Sequence, residues 1–244
     1  MAEALRQRLV LAGSGSASGG VYQEVKITGE GQVIGNLDCT DFKIYGTSRV
    51  DGNIQSRSFK IFGTSVVVGN VDSDQAYIYG TSDIGGDLSV KRLKLYGSSD
   101  IGGSLTGDQL QIGGEVTVLK DCEAESFAAK GAFTIGGLLN AGTVHIQLFG
   151  PCSAREIGGE TIKVTRSGLA YSFHKLLHSL APRTENSLTA DTIEGDNIYL
   201  EYTKARVVRG SSVHIGPGCE IECVEYKEHF EQAKNSVVHR SDRL

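Results

Sequence analysis

No apolar run in the 244 residues approaches the roughly 18 of a membrane-spanning helix, so no transmembrane segment is expected. The opening MAEALRQRLVLAGSGSASGG has an apolar part, Leu9 to Ala12, that is shorter than a signal-peptide core. A cytoplasmic location is the reading. The five cysteines, Cys39, Cys122, Cys152, Cys219 and Cys223, are odd in number and lack paired spacing, which argues against a disulfide framework and agrees with that compartment. Net charge is −5 and no Lys/Arg cluster occurs, so no nucleic-acid partner is expected. Neither GxGxxG nor GK[ST] is present, and Gly85-Gly86 and Gly102-Gly103 read as corner residues rather than a phosphate loop. Tryptophan is absent and proline occurs three times.

What the chain has instead is glycine, 32 residues of it, in a fixed pattern. From Phe42 to Gln109 the sequence repeats every seventeen residues. The third position is Ile44, Ile61, Ile78, Leu95, and the fifth is Gly46, Gly63, Gly80, Gly97. The ninth is Val50, Val67, Ile84, Ile101, the eleventh Gly52, Gly69, Gly86, Gly103, and the thirteenth Ile54, Val71, Leu88, Leu105. A fixed period with glycines at fixed offsets marks a solenoid, whose repeats are too short to bury an apolar face alone. Apolar residues alternate by two and none of the repeats shows helical spacing, so the repeats are strands. The glycines mark corners, needed for positive φ or for close approach of the next coil. The fold class expected is all-β, a parallel β-helix with a dry core of stacked aliphatic side chains. Each coil would hold about three short strands, stacked about 4.8 Å apart.

Two further columns persist. Tyr45, Phe62, Tyr79 and Tyr96 form an aromatic ladder, read as neighbours stacking on an outer face, with sugar binding the sharper alternative. Thr47-Ser48, Thr64-Ser65, Thr81-Ser82 and Ser98-Ser99 form a hydroxyl column, expected to satisfy turn amides.

Taken in order, residues 1–24 read as an N-terminal tail in which GSGSASGG is a flexible linker, although Leu9-Val10-Leu11 suit a short strand. The β-helix runs over 25–166, with a one-residue slip before Ile162 and Val164, giving about eight coils. A short helical insertion is expected over 167–185, where Leu169, Phe173, Leu176, Leu177 and Leu180 recur at helical spacing, Ser167 suits an N-cap and Pro182 ends the segment. Solenoid pattern returns over 186–226, and the charged residues 227–244 read as a frayed or helical tail.

No catalytic, cofactor or metal site emerges. His174 and His178 have i, i+4 spacing but no obvious third ligand. Cys219 and Cys223 would share one face of a strand, a structural placement rather than a ligating one. Val213-His214-Ile215-Gly216-Pro217-Gly218-Cys219-Glu220-Ile221 resembles a hexapeptide coil of β-helical acyltransferases, in which His214 would be the base. That family's strict six-residue period fails here. Polysaccharide lyases of the β-helix class need clustered charged groups where this chain has Thr, Ser and Tyr.

The seventeen-residue coils, the Ile-x-Gly and Val-x-Gly-x-Ile columns, LVLAGSGSASGGVYQEVKITGEGQVIGNLDCTDFKIYG and TIEGDNIYLEYTKARVVRGSSVHIGPGCEIECVEY are together similar to the bactofilins, polymer-forming bacterial cytoskeletal proteins, and to their longer Bacillus-type forms. The resemblance spans roughly residues 9–226. The insertion and second solenoid segment depart from the usual single short β-helix. The resemblance implies a right-handed β-helix, self-assembly without nucleotide or cofactor, and no catalysis. It implies as partners further copies of the chain, a paralogous bactofilin, the membrane surface or membrane-associated proteins, in a scaffold serving the cell envelope or motility. Apolar columns reaching both ends of the solenoid place self-assembly at its terminal coils, on Val25 and Ile27 at one end and Val213, Ile215 and Ile221 at the other.

Overall fold

The computed structural model describes residues 6–166 and 186–244, which form two compact units, Met1–Lys120 and Asp121–Leu244. The expected helical insertion over 167–185, with His174 and His178, lies outside the described residues. All the described regular structure is β, and the strand pairs are parallel, each strand stacking on its counterpart one coil away. The fold is a parallel β-helix.

The first unit contains twelve strands. They are β1 (Gln7–Leu11), β2 (Ser14–Ile27), β3 (Glu30–Ile44), β4 (Thr47–Asp51), β5 (Ile54–Ile61), β6 (Thr64–Val67), β7 (Val71–Ile78), β8 (Thr81–Ile84), β9 (Leu88–Leu95), β10 (Ser98–Ile101), β11 (Leu105–Ile112) and β12 (Glu115–Val118). Long strands stack in the order β1, β2, β3, β5, β7, β9, β11. Short ones stack from β3 through β4, β6, β8 and β10 to β12. From β3 onward the partners are seventeen residues apart, as in Phe42 opposite Phe59 and Ile61 opposite Ile78. Each regular coil thus has two strands rather than three. The third corner sits inside the eight-residue strand. In β5, Ile54 faces inward, and after two further residues the buried parity shifts so that Phe59 and Ile61 face inward.

The core columns are those the repeat marks, and Ile44, Val50, Ile54, Ile61, Ile78, Ile84 and Leu88 are fully buried. Phe42 and Phe59 stack within the core with centroids 5.3 Å apart. The fifth-position glycines have ordinary φ, and close approach is what requires them. A Cβ at Gly46, Gly63, Gly80 or Gly97 would overlap the carbonyl oxygen of the glycine one coil earlier. Among the described residues, positive φ is confined to Gly13, Gly20, Gly35, Gly218 and the non-glycine Tyr202.

A second coupling runs through the twelfth position. Asn36 Oδ1 accepts from the Asn53 amide at 2.8 Å, Asn53 Oδ1 from Asn70 at 2.8 Å, and Asn70 Oδ1 from Asp87 at 2.9 Å. Asp87 continues it to the Ser104 amide at 2.8 Å. The neighbouring glycines leave room for these groups, since a Cβ at Gly69, Gly86 or Gly103 would overlap the side-chain oxygen one coil before. Turn amides are therefore satisfied by this column, not by the serines as expected. Ser48, Ser65, Ser82 and Ser99 are buried, and Ser48 donates to Ser65 at 2.9 Å.

Among the described residues, most of those read as tails are strands. All of GSGSASGG after Gly13 belongs to β2, whose Ser14 to Ser18 pair with Glu30 to Ile34. Parallel pairing uses the backbone, which small residues leave open, so a linker-like composition did not prevent a strand here.

The second unit contains β13 (Cys122–Ala129), β14 (Ala132–Leu148), β15 (Cys152–Arg166), β16 (Leu188–Leu200), β17 (Thr203–Ile215), β18 (Glu220–Gln232) and β19 (Val237–Arg243), stacked in chain order. The charged residues from 227 onward continue β18 and form β19 rather than a frayed or helical tail. The slip before Ile162 is real: Val144 pairs with Ile162, eighteen residues on.

Candidate assembly interface

The residues assigned to the solenoid ends are placed one layer inside the observed edges. Val25 and Ile27 are fully buried, and Leu9 and Leu11 of β1 lie over them in register. Val213 and Ile215 are likewise buried, opposite Phe230 and Gln232 of β18. Ile221 lies under Val238 of β19. None of the five offers exposed surface, so a contact between copies would have to use the strands that cover them.

At the first edge, β1 pairs with β2, and among the described residues no strand pairs with its other side. Leu9 and Leu11 are half-buried, whereas their counterparts one coil further in are fully buried. Val10 on the same strand is 54% exposed. Two ion pairs hold the strand down. Arg8 Nε donates to Glu24 at 2.8 Å, and Arg6 reaches Asp38 at 2.9 Å. Glu24 also accepts from Lys43 at 3.0 Å, so one carboxylate ties three successive coils. The Arg8 guanidinium and then the Lys43 ammonium hold the Glu24 carboxyl below its ordinary value.

The opposite edge differs in chemistry. β19 carries His239, Arg240, Asp242 and Arg243, with Arg240 paired to Asp242 at 2.9 Å. Val237 is exposed and Val238 half-buried, so some apolar surface persists beside the charges. The expectation that apolar columns reach both ends fails on this side.

The candidate chemical residues are occupied structurally. All five cysteines are free and buried. Burial pushes the thiols of Cys39, Cys122 and Cys152 up to about 12 and that of Cys219 to about 11, making them poor nucleophiles and ligands. Cys219 and Cys223 both face inward, as the even spacing implied, and the Cys223 sulfur lies 3.1 Å from Arg240. His214 packs against the Tyr199 ring, centroids 4.9 Å apart, and its Nδ1 lies 3.2 Å from Glu231. The Tyr199 hydroxyl donates to Glu201 at 2.7 Å, which pushes its own pKa up to about 12. Coils around His214 pair at spacings of fifteen and seventeen residues, with Ile198 opposite Val213 and Val213 opposite Phe230. Neither is the eighteen of a hexapeptide coil. Among the described residues no group of three or more His, Cys, Asp or Glu is placed to hold a metal ion. Nor is any helix among them long and apolar enough to cross a membrane.

The sequence reading missed the asparagine column and the strand β19. The first was visible as Asn36, Asn53 and Asn70 recurring after a glycine, while the second has no apolar alternation to mark it.

Two proteins of Bacillus subtilis (strain 168) are similar to part of the chain. The uncharacterized protein YhbF is 41% identical over 109 residues, covering 44% of this chain and 42% of the relative. The uncharacterized protein YhbE is 44% identical over 112 residues, covering 45% and 44%. The chain thus spans less than half the length of either relative. No family model and no solved structure matches the chain.

Proposed function

We propose that the protein is a non-catalytic scaffold of the bactofilin kind, which self-assembles through the edges of its β-helix without nucleotide. The supporting observation is the β1 edge, where Leu9 and Leu11 are only half covered and one side of the strand is unpaired among the described residues. A strand from a second copy laid on that edge would complete both the pairing and the burial.

Magnitudes decide what such a contact must use. Fully burying a leucine contributes roughly 1.5–3 kcal/mol, and about half of that is already realised at Leu9 and Leu11. The remainder falls below the roughly 4–15 kcal/mol cost of association. Backbone pairing along the whole coil, Gln7–Leu11 together with Ser14 to Ser18, has to make up the difference. Assembly should therefore be concentration-dependent. Because backbone pairing and apolar burial rather than ion pairs between copies would hold the contact, it should also tolerate 1 M salt, where the Debye length is about 3 Å.

The test is sedimentation velocity and negative-stain microscopy of the full chain without nucleotide. Ile27→Lys and Ile215→Lys would break the core and are unsuitable probes. The informative variant is Leu9→Lys with Leu11→Lys, set against Lys94→Glu on an outer face. Filaments should be lost in the first and kept in the second, and His214→Ala should assemble normally. Wild-type polymerisation by the double variant would overturn the reading.

A further inference from the structure

The first unit has an outer face that assembly through β1 does not use. Tyr45, Phe62, Tyr79 and Tyr96 are 52%, 45%, 49% and 49% exposed. They stack along the solenoid with centroids 5.1, 5.3 and 5.4 Å apart and planes within 4°, 3° and 17°. Two residues earlier, within the strands that end just before these rings, lie Lys43, Lys60, Tyr77 and Lys94, in register with one another and with Lys26; the residue between the two columns, Ile44, Ile61, Ile78 or Leu95, is fully buried, so both columns face outward. Lys43 is neutralised by Glu24 and Asp41. Lys26, Lys60 and Lys94 make no ion pair among the described residues; Lys26 lies over the Tyr45 ring at 5.6 Å and Lys60 over Tyr77 at 5.5 Å. The result is a row of aromatic edges about 15 Å long beside a row of cations.

The orientation of the rings selects the ligand. A sugar or a base needs an open ring face on which to stack. Here each inner face is covered by the next ring. The two outermost faces are also taken, since Lys26 lies over Tyr45 and the Tyr96 ring rests on Gly113, where a Cβ would meet it at 2.7 Å. What points outward is the ring edges and three phenolic hydroxyls. Edge-on aromatic bodies with polar tips settle at the boundary between lipid headgroups and acyl chains, and adjacent lysines pair with anionic headgroups. We propose that this face docks on an anionic lipid surface. The site is complete in one copy, so it does not depend on self-assembly.

Flotation of the full chain with vesicles tests this. Binding is expected to vesicles of phosphatidylcholine with phosphatidylglycerol and not to phosphatidylcholine alone. Lys26→Glu, Lys60→Glu and Lys94→Glu together should weaken binding at least about a hundredfold, at about fivefold per lysine. The same change of net charge at exposed residues outside both columns, Lys120→Glu, Lys130→Glu and Lys234→Glu, should cost less than about tenfold. Nitroxide-labelled lipid should quench tyrosine emission, which no tryptophan masks. The Leu9→Lys, Leu11→Lys chain should still float with anionic vesicles. Equal binding to neutral vesicles, undiminished binding by the Lys26, Lys60, Lys94 variant, or capture of heparin without vesicle binding would overturn the assignment.

Discussion

The two units solve one packing problem with different strictness. In the first, the regular coils pair at seventeen residues, and both the glycine column and the asparagine column run through them without a break. In the second, spacing changes from coil to coil: Phe127 pairs with Val144 at seventeen, Val144 with Ile162 at eighteen, Ile198 with Val213 at fifteen, and Val208 with Val224 at sixteen. Parallel pairing and the apolar interior survive these changes. Coil length is therefore not what a β-helix must hold constant. The invariants are inward-facing apolar residues and glycines at points of close approach, and the second unit relocates the latter to Gly159, Gly195 and Gly210. Exact repetition is needed only where corner groups bond directly to the coil before.

The core is the shared part, so the largest effect should be the same in both units. Ile78→Asp and Ile162→Asp each place a charge in a fully buried column. Each should cost more than about 4 kcal/mol. Circular dichroism should show loss of the β signal in both, and a tolerated Ile162→Asp would mean that the second unit has a looser core.

Corners should separate the units. Gly63→Ala drives a Cβ into the Gly46 carbonyl, whereas at Gly142 the nearest atom is a carbonyl oxygen at 3.1 Å. The first should cost about 3 kcal/mol or more and the second under about 1 kcal/mol, read from urea midpoints. Similar midpoints for the two would show that the glycine column is not what enforces the strict repeat.

Each unit also has one charged clamp across three coils, with opposite polarity. In the first, Glu24 sits between Arg8 and Lys43 and is 9% exposed. In the second, Arg209 sits between Glu194 and Glu225, and its side chain is 42% exposed. Glu24→Gln should cost about 1–3 kcal/mol, since its partners lose a charged acceptor, and Arg209→Gln under about 1 kcal/mol. The pH dependence has a definite sign. The Glu24 carboxyl is depressed in the folded state, so its contribution is present above the ordinary glutamate value of 4.5 and is lost as pH falls through the folded value. The difference in melting temperature between wild type and Glu24→Gln should shrink on acidification below that value.

How far the sequence shows all this follows from the same physics. The first unit was legible because identical side chains must stack on themselves, which prints the period directly at Ile44, Ile61, Ile78 and Leu95. The edges were not legible. Gly15, Ala17 and Gly20 look like linker residues, yet they pair with Gly31, Val33 and Leu37 of β3. In β19, Arg240 and Asp242 alternate with neither face apolar, so only the backbone ladder to β18 defines the strand. At that end the columns of Val213, Ile215 and Ile221 continue under strand segments without an apolar pattern of their own, whereas at the other end Leu9 and Leu11 carry the pattern one layer beyond Val25 and Ile27.

The smallest effect concerns the serine column, where the first unit's regularity is incomplete. Ser48 and Ser65 form a hydrogen-bonded pair, but the Ser82 and Ser99 hydroxyls are buried without a partner among the described residues. A buried hydroxyl that makes no bond carries its desolvation cost uncompensated. Ser82→Ala removes the hydroxyl and leaves almost no void, so it should stabilise the protein by about 1 kcal/mol. Ser65→Ala leaves the Ser48 hydroxyl without its acceptor and should destabilise by a similar amount. For a chain of this length such changes move the melting temperature by about 2–4 °C, in opposite directions. Destabilisation by Ser82→Ala would show instead that the hydroxyl is bonded to an ordered internal water, and the serine column would then be a continuous polar seam within the core.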